Sequence, residues 1–149
     1  VRRDLTVTFE NKANPQLGTK AKYKGYIRIM VPISTNADNI KVDGISYGFD
    51  VEDVHGRREI GKLVEVLPGT KKAISVSWES PQSFSFEKAG EYRLYVRKQA
   101  GTDADALSLR INLPSGKKFN MLPKFSLTQE GAYLYNTQVA RDQFIKVSW

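Results

Sequence analysis

Hydrophobic residues recur at every second position along most of this chain: Leu5, Val7 and Phe9; Ile27, Ile29 and Val31; Ile45, Tyr47, Phe49 and Val51; Ile74, Val76 and Trp78; Tyr92, Leu94 and Val96; and Leu107, Leu109, Ile111 and Leu113. Side chains of an extended segment point alternately to opposite faces, so each set predicts a strand with one face buried and the other wet. Shorter candidates lie at 63–67, 83–86, 125–127, 132–135 and 144–149, which brings the expectation to about ten strands. Turn formers stand between them at Asn14-Pro15 before Gly18, Asp43-Gly44, Pro68-Gly69, Ala89-Gly90, Ala100-Gly101 and Pro114-Ser115-Gly116, where Gly supplies positive φ and Pro a fixed φ. Only 136–144 hints at a helical turn, too short to alternate with strands as a parallel α/β sheet requires. The expected fold is all-β and antiparallel, an immunoglobulin-like β-sandwich formed by one domain over residues 1–149. A closed barrel built from the same short strands is the alternative. No segment repeats with a period of roughly 20 to 50 residues, and 114–123, with Lys117, Lys118 and Asn120, reads as an interior loop.

Composition adds constraints. A chain of about 150 residues buries enough surface to fold without staples, and this one has no cysteine, which removes disulfides, thiolate metal sites and cysteine nucleophiles together. Its apolar runs are far shorter than the ~20 residues that cross a bilayer as a helix, and no charged-then-apolar export segment opens it. The start at Val1 without a methionine and the stop at Trp149 predict a piece of a longer protein. The 23 Lys and Arg against 16 Asp and Glu give a net charge of +7, which favours anionic surfaces. The one local excess runs from Lys12 to Arg28, where Lys20, Lys22 and Lys24 would share a face if that segment were extended. Such a row is either a solvated edge that resists sheet-to-sheet aggregation or an anion-binding stripe.

Three stretches carry a family resemblance: Leu5-Thr-Val-Thr-Phe-Glu-Asn11 followed by Tyr26-Ile-Arg-Ile-Met-Val-Pro32; Gly61-Lys-Leu-Val-Glu-Val-Leu-Pro-Gly-Thr70 leading into Ile74-Ser-Val-Ser-Trp78 and Pro81; and Tyr92-Arg-Leu-Tyr-Val-Arg-Lys-Gln-Ala-Gly-Thr102 followed by Leu107-Ser-Leu-Arg-Ile-Asn-Leu-Pro114. Over about residues 3–114 the chain resembles the C-terminal region of the bacterial membrane-anchored surface proteins of domain-of-unknown-function family 4012. Ala100 departs from the pattern, standing where that family has proline. The resemblance implies a module displayed outside the cytoplasmic membrane or on the cell wall, distal to an anchor, with no assigned activity.

Catalytic chemistry finds little support. His55 is the only histidine, set in Asp50-Val-Glu-Asp-Val-His-Gly56 at a strand end, and no Gly-x-Ser-x-Gly elbow accompanies it. Asp50, Glu52 and Asp53, or Asp103 with Asp105, could offer oxygen to calcium, yet neither run has the spacing of an EF-hand loop. Phosphate-cradling glycine loops are absent, and carboxylate pairs for glycoside hydrolysis need a cleft that sequence does not display. Aromatic residues are more informative: Tyr133 and Tyr135 share a face by alternation near Trp149, whereas Trp78 runs in phase with Ile74 and Val76 and belongs to a core. Arg93, Tyr95 and Arg97 share the face opposite Tyr92, Leu94 and Val96.

The expectation is therefore a non-catalytic extracellular binding or spacer module of a bacterial cell-envelope protein, without cofactor or metal. Its expected partner is anionic wall material or exopolysaccharide, or a neighbouring domain of its own protein, with neither nucleic acid nor membrane contacted. Candidate contacts are Lys20, Lys22, Lys24, Arg93, Arg97 and Lys98 for charge, and Tyr133 and Tyr135 for stacking. A packing or self-association module and a basic nucleic-acid-binding β domain are the alternatives.

Overall fold

A computed structural model describes residues 1–81, 84–98 and 103–149. Ala100-Gly101 and part of the 83–86 strand candidate fall outside the described residues. Strand makes up 54% of the structure and helix 7%, all in antiparallel sheets, so the mostly-β expectation holds. Among the described residues there are twelve strands in four three-stranded sheets, against the roughly ten expected from alternation. The chain divides into two compact units, Val1–Ser83 and Phe84–Trp149.

In the first unit the order is β1 (Arg2–Glu10), a 3-10 segment η1 (Pro15–Ala21), β2 (Tyr23–Pro32), η2 (Ala37–Asn39), β3 (Lys41–Val42), β4 (Asp50–Val54), β5 (Arg57–Val66) and β6 (Lys71–Glu79). They form sheets β1-β6-β3 and β2-β5-β4. Val31, Ile60, Val64 and Val66 from the second sheet and Val42, Ile74 and Val76 from the first join Ile40 in one core cluster, each at most 2% exposed. Burying a side chain of this size stabilises by about 1.5–3 kcal/mol, so this cluster is what fixes the strand register. Asn11 ties the end of β1 to its surroundings: its Nδ2 donates to the carbonyls of Ala21 (2.8 Å) and Val66 (3.0 Å), and its Oδ1 accepts from the Ala13 amide.

Two expectations change here. The alternation Ile45 to Val51 predicts one strand, but Ile45 makes only an isolated bridge to Val42, residues 46–49 are bends, and the strand is confined to Asp50–Val54. Asp43 (φ 53), Gly44 (φ 81) and Gly48 (φ 73) sit in the left-handed region, which a continuous strand does not allow. Beyond β4, His55 (φ 50) and Gly56 (φ 73) make a two-residue hairpin turn into β5, where both central residues need positive φ. The basic segment is not one extended strand either, because Pro15 and the Asn14 cap turn it into η1.

The second unit comprises β7 (Glu91–Val96), β8 (Asp105–Ile111), β9 (Asn120–Leu122), β10 (Ser126–Leu127), β11 (Tyr133–Val139) and β12 (Gln143–Ser148), in sheets β7-β12-β9 and β8-β11-β10. Phe125, Ala132, Val139, Ile145 and Val147 are buried. Aromatic rings do much of the remaining packing: Phe84 meets Tyr92 edge-on at 5.9 Å, and Phe86 lies 4.9 Å from Trp149 and 5.7 Å from Phe119. Trp149 Nε1 donates to the Ser85 carbonyl at 3.1 Å, and its ring lies so close to Gly90 that a Cβ there would sit 2.7 Å from Cζ2. The helical turn expected within 136–144 is absent, since β11 runs on to Val139 and a short turn feeds β12. The loop expected over 114–123 contains β9, and Leu113 lies beyond the end of β8.

Candidate ligand-binding face

The outward side of sheet β7-β12-β9 places two exposed aromatic residues beside several charged side chains. On β7, Tyr92, Leu94 and Val96 are half-buried while Glu91, Arg93 and Tyr95 are exposed. On β12, Ile145 and Val147 are buried, which turns Phe144, Lys146 and Ser148 outward. The strand register then makes a grid: Tyr95 stands opposite Phe144, Arg93 opposite Lys146, Glu91 opposite Ser148, and on the other edge Leu122 opposite Lys146. Directly opposed residues have Cβ atoms about 4.5–5.5 Å apart, so Tyr95 and Phe144, 54% and 47% exposed, stand side by side as an exposed aromatic platform.

Polar contacts hold this platform in place. Tyr95 OH donates to Asp142 Oδ2 at 2.5 Å, and the Lys98 backbone N–H donates to Asp142 Oδ1 at 2.8 Å. The hydrogen bond from Tyr95, then that from Lys98, hold the Asp142 carboxyl below its ordinary pKa. The same bond raises the Tyr95 phenol, because ionisation would put two anions side by side. The Arg97 guanidinium lies 5.9 Å from the Tyr95 ring centroid, within cation–π range. Glu91 pairs with Arg93 and, at 2.9 Å, with Lys146. Its pKa is lowered chiefly by the Lys146 hydrogen bond. The side chains of Arg93 and Lys146 stay 63% and 38% exposed, so the pairing positions them without hiding them.

Of the expected contacts, Arg93 and Arg97 lie on this face, and Lys98 contributes its backbone N–H to Asp142. Lys20, Lys22 and Lys24 do not form a charged row on one strand face: Lys20 lies in η1, Lys22 caps it, and only Lys24 is in β2. Lys22 and Lys24 both reach Glu65, at 2.9 and 3.2 Å, and Arg28 reaches Glu59 at 3.0 Å, so acids from β5 answer the local basic excess. Tyr133 and Tyr135 are half-buried in β11 and spend their rings on Phe119 (6.4 Å) and Phe125 (5.2 Å). Phe144 and Lys146 were not among the expected contacts. Their signal was the run Phe144-Ile145, which places an apolar residue on each side of one strand.

A second, smaller feature lies on sheet β2-β5-β4, a polar hollow of about 190 Å³ lined by Tyr26, Arg28, Asp50, Glu52, Glu59 and Gly61. The Tyr26 ring crosses β5 over Gly61, where any Cβ would overlap it, and its hydroxyl donates to Asp50. Arg28 neutralises Glu59 and lies over the Tyr26 ring at 5.3 Å. Glu52 stands opposite Glu59 in the register.

Asp105 opens β8 opposite Val139, His55 is exposed in its turn, and among the described residues no three Asp, Glu, His or Cys side chains converge as a metal site. Among the described residues no helix is long and apolar enough to cross a membrane. Compared with known proteins, the chain matches no family model, no curated protein and no solved structure.

Proposed function

We propose that the chain is a non-catalytic binding module that holds an acidic polysaccharide on the outer face of β7-β12-β9. The observation that carries this reading is the exposed Tyr95–Phe144 platform bordered by Arg93, Arg97 and Lys146. The face is mixed in charge. Glu91 and Asp142 lie among the cations, which suits a polymer of moderate charge density carrying hydroxyls that carboxylates can accept from. A nucleic acid, with a phosphate at every residue, gains less from such a face. Sugar C–H faces would lie on the two rings, and the arginines would take the polymer's carboxylates, for which their forked geometry is suited. The bacterial cell-envelope setting implied by the family resemblance gives such a polymer a natural source. It is part of the proposal on that ground alone.

We also propose that each unit is a small immunoglobulin-like sandwich. β2-β5-β4 follows the order B-E-D and β3-β6 the order C-F of that fold, while β1 stands in the place of strand G. The shared core of the first unit supports this arrangement.

The test is co-sedimentation or calorimetry of the purified chain with polygalacturonate, at low and high salt. Binding that persists in part at high salt and is lost in Tyr95→Ala/Phe144→Ala supports the reading, since ring contacts are little screened. Equal loss of polygalacturonate and single-stranded DNA binding at high salt would reduce the interaction to net charge and overturn it.

A further inference from the structure

We infer that the chain is an internal duplication of one six-stranded unit, and that the second copy has converted the outer face of its first sheet into the ligand surface. The second clause rests on the function proposed above. The first rests on topology, register and sequence.

In each unit the first strand pairs with the sixth, the sixth with the third, the second with the fifth and the fifth with the fourth, all antiparallel. The sixth strands carry the same motif, Ile74-Ser-Val-Ser-Trp78 and Ile145-Lys-Val-Ser-Trp149. The motifs are also in the same register. Val76 faces Leu5 and Val42 as Val147 faces Tyr92 and Met121, and Ile74 faces Val7 as Ile145 faces Leu94. Burial follows suit, with Ile74 and Val76 at 1% and 2%, and Ile145 and Val147 at 0% and 3%. The fifth strands both end on a buried valine, Val66 and Val139. Chance agreement in strand order, motif and pairing partner together would be an unusual convergence for two unrelated six-stranded units.

The aligned copies differ most where they face outward. By the shared register, Arg93 takes the position of Thr6, Tyr95 that of Thr8, Phe144 that of Ala73 and Lys146 that of Ser75. The first copy fills this face with small residues, and Thr6 and Ser75 hydroxyls lie 3.1 Å apart. The fold is thus complete without rings or long cations at these four positions. An exposed aromatic pair is the kind of feature that a soluble surface carries for contact with something else.

The experiment transplants one face onto the other copy in the full chain. The variant Arg93→Thr/Tyr95→Thr/Phe144→Ala/Lys146→Ser, in a Trp78→Phe background, is followed by Trp149 emission in urea and by polygalacturonate binding. The reciprocal Thr6→Arg/Thr8→Tyr/Ala73→Phe/Ser75→Lys is followed by total tryptophan emission. The duplication predicts that both retain cooperative unfolding, and the ligand clause predicts that the first loses affinity by about tenfold or more. Loss of cooperative unfolding in both variants overturns the duplication, because positions that correspond should exchange. Cooperative unfolding of both with unchanged polygalacturonate affinity leaves the duplication standing and overturns the ligand clause.

Discussion

Replacing Ile145 with alanine should destabilise the second unit by about 3–4 kcal/mol. Ile145 is 0% exposed, and it lies in the central strand of its sheet, opposite Leu94. The substitution removes three carbons at about 0.8 kcal/mol each. The cavity left behind adds to this, so that Ile→Ala in a closed core costs about 2–5 kcal/mol. A unit spanning 84–149 has roughly 3–10 kcal/mol of stability to lose, so the variant should be near the edge of folding. The assay is urea unfolding followed by Trp149, whose ring packs on Phe84 and Phe86 in the same unit. A Trp78→Phe background isolates that signal and removes the buried Trp78 Nε1, which has no hydrogen-bond partner. With a urea slope of about 1–2 kcal/mol per molar, the midpoint should fall by about 1.5–4 M. A shift worth less than about 1 kcal/mol would refute the core assignment.

Other outcomes follow from the same structure. Gly61→Ala should cost about 1–3 kcal/mol by pushing the Tyr26 ring off β5, and should bring the Tyr26 phenol down toward its ordinary pKa, read by ultraviolet titration. The Tyr26 phenol is raised chiefly by the Asp50 hydrogen bond, so an unchanged titration would contradict that cause. Asn11→Ala should cost about 1–3 kcal/mol in urea melts, since two carbonyls lose their donor; a neutral result would mean that water replaces the side chain. Acid should destabilise the fold: Asp53 (Arg58), Glu65 (Lys22), Glu91 (Lys146) and Asp142 (Tyr95) are all lowered from 3.8 or 4.5 by the hydrogen bonds named. A carboxylate depressed on folding contributes stability that is full above its unfolded pKa and lost as pH falls through its folded value. The urea midpoint should therefore decline as pH drops below the 3.8–4.5 range, and a midpoint that rises there would contradict these pairs. Tyr95→Phe should raise the Asp142 pKa toward 3.8, measurable by carboxyl chemical shift, and no change would assign the depression to Lys98 alone.

Period-two alternation located β1, β2, β6, β7 and β8 because each has one buried or half-buried face and one more exposed face, and that contrast is visible in sequence. It failed at Ile45 to Phe49, where Asp43, Gly44 and Gly48 take positive φ although the apolar spacing is that of a strand. It also missed β9, a three-residue strand too short to show any period. The candidate face was half legible. Arg93, Tyr95 and Arg97 alternate on one strand, but Phe144 and Lys146 join them only through the β7–β12 register, a long-range pairing that local pattern does not encode. The duplication was hidden for a related reason. The Ile-x-Val-Ser-Trp motif recurs far beyond the spacing of ordinary short repeats, and the remaining correspondences are of register and burial rather than of residue identity.

The most direct test of the account is an amide NMR titration of the intact chain with short polygalacturonate oligomers. Shifts should concentrate at Glu91–Val96, Gln143–Ser148 and Asn120–Leu122, with the equivalent face on β1 and β6 silent. Shifts centred on the Tyr26 hollow or on η1, or spread evenly over every lysine and arginine, would contradict it.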